Sequence, residues 1–296
     1  MSIKTIHKLI EQKLITPPTF MNDNVHYQVL MGSMAYGVST DTSDVDIYAF
    51  CIPPRETIFP HLAGEIQGFG TQKQRFDQYQ QHHVKDSDGK SYDIQVYNII
   101  KYFDLCMSNN PNMIDSLFVP FHCVVHITNI GTMVRDARKK FLHKGAWHKF
   151  KGYAYSQIHK IKSKTPHGSR VAIIEEFGYD VKFAYHAVRL MSEVEQILLE
   201  GDLELDRKDR REQLKSIRRG EWKIEQVIDF FETKEKDLES IYLKSELQHS
   251  PNEEEIKTLL LGCLEHHYGS LDKVIVKPSQ ERDLLFKIKE LVEKYQ

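Results

Sequence analysis

The chain has 296 residues, 41% of them hydrophobic and 28% charged, with a net charge of −2 at pH 7. This is the balance of an ordinary globular protein, long enough for one large or two ordinary domains. Its four scattered cysteines (Cys51, Cys106, Cys123, Cys263) form no Cys-x-x-Cys pair, which argues against both a zinc site and a disulfide framework. The start, Ser2 to Ile10, reads as an amphipathic helix rather than a signal peptide. No run approaches the ~20 apolar residues of a membrane span. The expectation is a cytoplasmic protein with no membrane contact.

Val29-Leu30-Met31 reads as a short buried strand leading into Gly32-Ser33. A ten-residue spacer follows, and then Asp44-Val45-Asp46 opens a second apolar strand that runs to Ile52 before Pro53-Pro54. Arg75 to Val84 reads as a polar strand, and Asp86-Ser87-Asp88-Gly89 as a hairpin turn. Beyond it, Tyr92, Ile94 and Val96 alternate with Asp93, Gln95 and Tyr97, the period of a half-buried strand. A helix is expected over 98–108, closed by Asn109-Asn110-Pro111, which starts the next. From the helix-capping Thr128-Asn129 onward, strand signals stop and helical periods take over, at about 129–142, 147–163, 171–200, 223–246 and 253–266. The expected architecture is α+β: a mixed-sheet domain over residues 1–128 followed by an all-helical region over 129–296.

Residues two apart in a strand share a face, so Asp44 and Asp46 are expected to project together. Adjacent carboxylates with no base between them repel and call for a cation, and Mg2+ suits hard oxygen donors. The Gly32-Ser33 turn offers N–H groups and a hydroxyl to phosphate oxygens, in the manner of a strand giving way to a helix. Gly-Ser, about ten residues, then Asp-x-Asp resembles the signature of the DNA-polymerase-β-type nucleotidyltransferases. The wider pattern is Gly-Ser-x-Ala-Tyr-Gly, Thr-Ser43-Asp-x-Asp, Asn109-Asn110-Pro111-Asn112, Gly178-Tyr179-Asp180-x-Lys182-x-x-x-His186-x-x-Arg189-Leu190 and Glu200-Gly201. Across roughly residues 28 to 220 it resembles the RNA-ligase-associated nucleotidyltransferase family of bacteria and phages.

The resemblance implies a palm-like core that binds a nucleoside triphosphate with two Mg2+ ions (Mn2+ an alternative) and transfers a nucleotidyl group to a hydroxyl. It also implies a third carboxylate on a later strand. Asp93 is the first choice on strand alternation and Asp77 the second. Asp44, Asp46 and Asp93 would then be the catalytic metal ligands, with Gly32, Ser33 and Ser43 at the phosphates. Lys182, His186 and Arg189 share one helix face with Glu193 and are expected beside the nucleotide, Lys182 being favoured for the triphosphate.

Charge is segregated. Arg135 to Arg170 holds eleven Lys or Arg and one acid, a net of +10 that leaves −12 for the rest of the chain. Interleaved Phe141, Trp147, Phe150, Tyr153 and Tyr155 suit a polyanion with stackable bases, and Lys139, Lys140 and Lys144 are the expected acceptor contacts. Alternative readings are a solvated helix pair balanced by acids, or cations turned to the triphosphate. A second cluster, Arg207 to Arg219, reads as surface. The leading functional reading is transfer of a nucleoside monophosphate, from ATP by preference, to an RNA or tRNA end. The alternatives are the same transfer to a protein hydroxyl, as in toxin–antitoxin nucleotidyltransferases, and a non-catalytic nucleotide or RNA binder. His82-His83 and His266-His267 show no ligand spacing and read as ordinary residues.

Overall fold

The computed structural model describes residues 5–40, 43–72, 75–163 and 169–271, together with residues 288, 291, 292 and 294. Five strands form one mixed sheet: β1 (Val25–Leu30), β2 (Val45–Cys51), β3 (Gln78–Lys85), β4 (Ser91–Asn98) and β5 (Val124–Ile127), in the order β3-β4-β2-β1-β5. β2 and β4 run parallel, and every other neighbouring pair is antiparallel. The helices in the sheet-forming half are α1 (Thr5–Glu11), α2 (Met21–Asn24), α3 (Arg55–Ile58), α4 (Ile99–Met107) and α5 (Pro111–Phe118). After β5 come α6 (Asn129–Asp136), α7 (Ala146–Ser163), α8 (Ser169–Phe177), α9 (Val181–Glu200), α10 (Lys208–Arg218), α11 (Ile224–Lys244) and α12 (Glu253–Tyr268).

The central strands of the sheet are buried on both faces, which is why β2 reads as a nearly continuous apolar run. On one face Val45, Ile47, Ala49, Ile94 and Val96 pack against Ile6 and Leu9 of α1. On the other, Tyr27, Val29, Tyr48, Phe50 and Tyr97 join a core that continues into Trp147 and Phe150 of α7 and Val188 and Met191 of α9. Burying Trp147 and Phe150 completely is worth a few kcal/mol each, so this apolar face anchors α7 against the rest of the molecule.

Three local expectations change. The period over 171–200 resolves into two helices, because Gly178 takes a φ of +79° and Asp180 caps α9 by accepting from the N–H groups of Lys182 and Phe183. The segment after Gly32 is a series of turns over residues 32–37, not the start of a helix, since Gly32 and Gly37 sit at φ +62° and +65°. Arg207 to Arg219 is only in part a surface cluster, with Arg207, Lys208, Lys215 and Arg219 exposed or partly exposed. It contains α10, whose Arg210 is buried and donates to the carbonyls of Glu204 (2.9 Å) and Ser192 (3.3 Å) and to Gln196 Oε1 (3.0 Å). Arg218 of the same helix donates to the Val38 carbonyl, tying α10 to the end of the Gly-Ser turn.

Candidate active site

The first carboxylate is fixed by the sheet. Asp46 is the second residue of β2 and lies in register with Asp93 on the parallel neighbour β4. The Met31 N–H donates to the Asp46 carbonyl at 2.8 Å, which draws the Gly-Ser turn across the end of β2. A Cβ at Gly32 would overlap the Asp46 carboxylate, and the positive φ disfavours a side chain there in any case. Only glycine therefore allows this turn to lie against the carboxylate. Asp44 precedes the first residue of β2 and is exposed, so it is carried by the loop end rather than by the strand.

Burial, then the neighbouring Asp93 and Asp44 charges, push the Asp46 carboxyl up to about 6, while His82 pulls it down. Asp46 thus senses both other predicted carboxylates. Among the described residues, no group of three or more His, Cys, Asp or Glu side chains already closes around a metal-sized point. The donor set nonetheless fits a divalent cation: a largely buried carboxylate, Asp46, raised by the charges of two others, which such an ion would neutralise. Ser33 is half-buried, and its hydroxyl has no partner among the described residues. Ser43 instead closes its own loop, accepting from the Thr40 N–H at 2.9 Å.

Beside Asp46 opens a cleft of about 760 Å³ between the sheet and the helices. Gly32, Tyr36, Asp46 and Tyr48 form one wall, and α7 faces them with Lys149, Tyr153, Ser156, Gln157 and Lys160. His186 and Arg189 of α9 close the back. The α7 residues recur every three or four positions, one face of a helix, while Trp147, Phe150, Ala154 and Ile158 bury the other. Lys149 and Lys160 have no acidic partner among the described residues, whereas Lys151, off this face, pairs with Glu235 (2.7 Å) and Glu239 (3.0 Å). Burial, followed by the charges of Arg189, Arg170, Arg218 and Lys160, holds His186 well below the usual imidazole range, so it stands neutral in a cationic corner. A neutral imidazole there offers hydrogen bonds rather than charge.

Of the expected nucleotide residues, Gly32, His186 and Arg189 line this cleft; Ser33, Ser43 and Lys182 do not. Arg189 is not a free cation. It is 3% exposed, lies 4.2 Å over the Tyr36 ring, and donates to Asp115 and to both oxygens of Glu193 (2.9 and 2.8 Å). Tyr36 O–H donates to Asp115 Oδ2 at 2.7 Å, so the cluster fastens the Gly-Ser turn to α5 and α9. The expected acceptor lysines lie outside the cleft. Lys139 pairs with Asp202 at 2.6 Å, Lys140 pairs with Glu255, and Lys144 is buried with its amine 5.8 Å over the Tyr242 ring. Local acids neutralise the first two cations, which the linear sequence does not show. Lys164 and His167 of the basic stretch lie outside the described residues.

The structure thus sets Asp46 in register with Asp93, presses a glycine turn against Asp46 and faces it with a helix carrying Lys149 and Lys160. The match to the RNA repair pathway DNA polymerase beta family covers residues 6–261, and the chain belongs to that family. A structure titled as that of a nucleotidyltransferase-like protein from Exiguobacterium sibiricum 255-15 aligns with 81% of this chain and 74% of its own, at 9% identity and a TM-score of 0.30. Comparison with curated proteins gives no match. Among the described residues, no helix is long and apolar enough to cross a membrane.

Proposed function

We propose that this chain transfers a nucleoside monophosphate from a nucleoside triphosphate, ATP by preference, to a hydroxyl at an RNA end. The observation that carries this is Asp46, which lines a cation-walled cleft, lies in register with Asp93 on the neighbouring strand, and is raised by burial and then by the Asp93 and Asp44 charges. Asp44, Asp46 and Asp93 would hold Mg2+, which when bound supplies charge neutralisation at the phosphates and activation of the acceptor hydroxyl. Lys149 and Lys160 attract the triphosphate, the turn at Gly32-Ser33 offers N–H donors, and neutral His186 donates or accepts a hydrogen bond without competing for the cations.

A protein hydroxyl as acceptor is the second reading. What favours it is the pairing of Lys139 and Lys140 with acids of the same chain, which removes the guide expected for a polyanion. The test is incubation with each α-labelled triphosphate, Mg2+ and either purified RNA or RNase-treated lysate. Label in RNA supports the first reading, label in protein the second, and label in neither contradicts both.

A further inference from the structure

His82 and His83 lie where the β3–β4 ladder slips. Gln81 pairs with Ile94 and Val84 with Tyr92, so these two histidines together face the single residue Asp93. Two residues opposite one make a bulge, a feature that re-aims groups beside functional sites. His83 takes a φ of +55°, in the left-handed region that side chains other than glycine rarely adopt. In that conformation its N–H donates to Asp93 Oδ1 at 2.8 Å. His82 Nδ1 lies 3.5 Å from the other oxygen, Oδ2.

The orientation of the His82 ring follows from its neighbours on the exposed face of β3. Gln78 Nε2 donates to Gln80 Oε1 at 3.4 Å, which leaves the Gln80 amide nitrogen as the group 2.7 Å from His82 Nε2. The Gln80 amide meets His82 at Nε2, which leaves Nδ1 as the ring nitrogen turned to Asp93. The row Gln78, Gln80, His82 thus holds the imidazole on the face of β3 where Nδ1 lies 3.5 Å from Asp93 Oδ2. Packing does not account for the imidazoles, because the His82 and His83 side chains are 45% and 81% exposed.

We propose that His82, backed by Gln80 and seated by the bulge, is the positioning residue of Asp93. With the His83 N–H it directs both carboxylate oxygens, and so sets how Asp93 is presented to a divalent cation shared with Asp46. This rests on the catalytic reading above. Asp93 stands beside the like charge of Asp46, and an unrestrained carboxylate there would turn away to solvent. Groups that orient metal-binding side chains in this way typically contribute 10–100-fold to metal affinity or activity.

Mn2+ binding to the full chain without nucleotide, followed by loss of the free-ion paramagnetic resonance signal, tests this alongside label transfer. His82→Ala should weaken Mn2+ binding by roughly 10–100-fold and slow transfer by a similar factor. His82→Gln, which keeps an N–H donor, should recover most of both. A His82→Ala chain that binds Mn2+ like the wild type, or a His82→Gln chain as weak as the alanine variant, would overturn the assignment while leaving the catalytic reading standing. A wild-type chain that takes up no Mn2+ would overturn both.

Discussion

Asp46 carries the sharpest consequence at the scale of single residues. Its carboxyl is raised from 3.8 to about 6 by burial and by two like charges, so the folded chain holds a proton that the unfolded chain gives up at lower pH. Stability contributed by that proton is complete below pH ~4 and is lost as pH rises through about 6. Without metal, Asp46→Asn should therefore be more stable than the wild type at pH 7, by about 1–3 kcal/mol, and the gap should close toward pH 4. Mg2+ should raise the wild-type melting temperature and leave the variant's nearly unchanged. Thermal unfolding at several pH values checks both, and an Asp46→Asn chain less stable than the wild type at pH 7 would contradict the like-charge account. Asp44 lies on the loop end before β2, but the strand positions of Asp46 and Asp93 were legible in the sequence from alternation. His82 was not, since a bulge moves a side chain off its alternating face and nothing in the linear spacing announces it.

At the scale of elements, α9 is held by charge as well as by apolar packing. One guanidinium, Arg189, faces two buried carboxylates. Burial raises both Asp115 and Glu193, the latter to about 8, while Arg189 pulls them back down. Removing the shared cation strands both acids, so Arg189→Leu should cost about 3–5 kcal/mol. Glu193→Gln leaves the Arg189–Asp115 pair intact and, by the linkage that applies at Asp46, should be more stable than the wild type at pH 7. Because the folded value of Glu193 is the higher, the wild type should lose stability as pH rises through about 8, and Glu193→Gln should lose less. Urea midpoints of the two variants across pH 6–9 decide this; equal losses in both would contradict the shared-cation arrangement. The helical face of Lys182, His186, Arg189 and Glu193 was readable from its period. Which of its cations is free was not, because Asp115 arrives from α5, more than seventy residues earlier. α7 gives the same lesson. Its period was clear, but only the packing of Trp147 and Phe150 turns Lys149 and Lys160 toward the cleft.

Across the whole molecule, charge segregation in the sequence does not become one basic face. The +10 stretch is divided: some cations are met by Asp202, Glu235, Glu239 and Glu255 from other elements, and Lys149 and Lys160 are left at the cleft. Substituting Lys139, Lys140 and Lys144 together should leave the salt dependence of RNA binding almost unchanged, because two of them already have acidic partners and the third is buried. Substituting Lys149 and Lys160 by Gln should raise the KM for the triphosphate by about 10-fold or more, the scale of losing charge-assisted contacts. Steady-state kinetics and binding titrations at several salt concentrations separate these outcomes, and a triple variant with a much flatter salt slope would restore the basic stretch as the acceptor guide.

The central claim is that the Asp44–Asp46–Asp93 cluster performs metal-dependent nucleotidyl transfer. The most direct measurement is incorporation of α-labelled ATP into an acceptor with Mg2+, wild type against Asp46→Asn, with folding of both chains verified. Label transferred by the wild type, abolished by chelation and absent from the folded Asp46→Asn chain, is the expected result. Transfer by Asp46→Asn at a rate near that of the wild type would contradict the account.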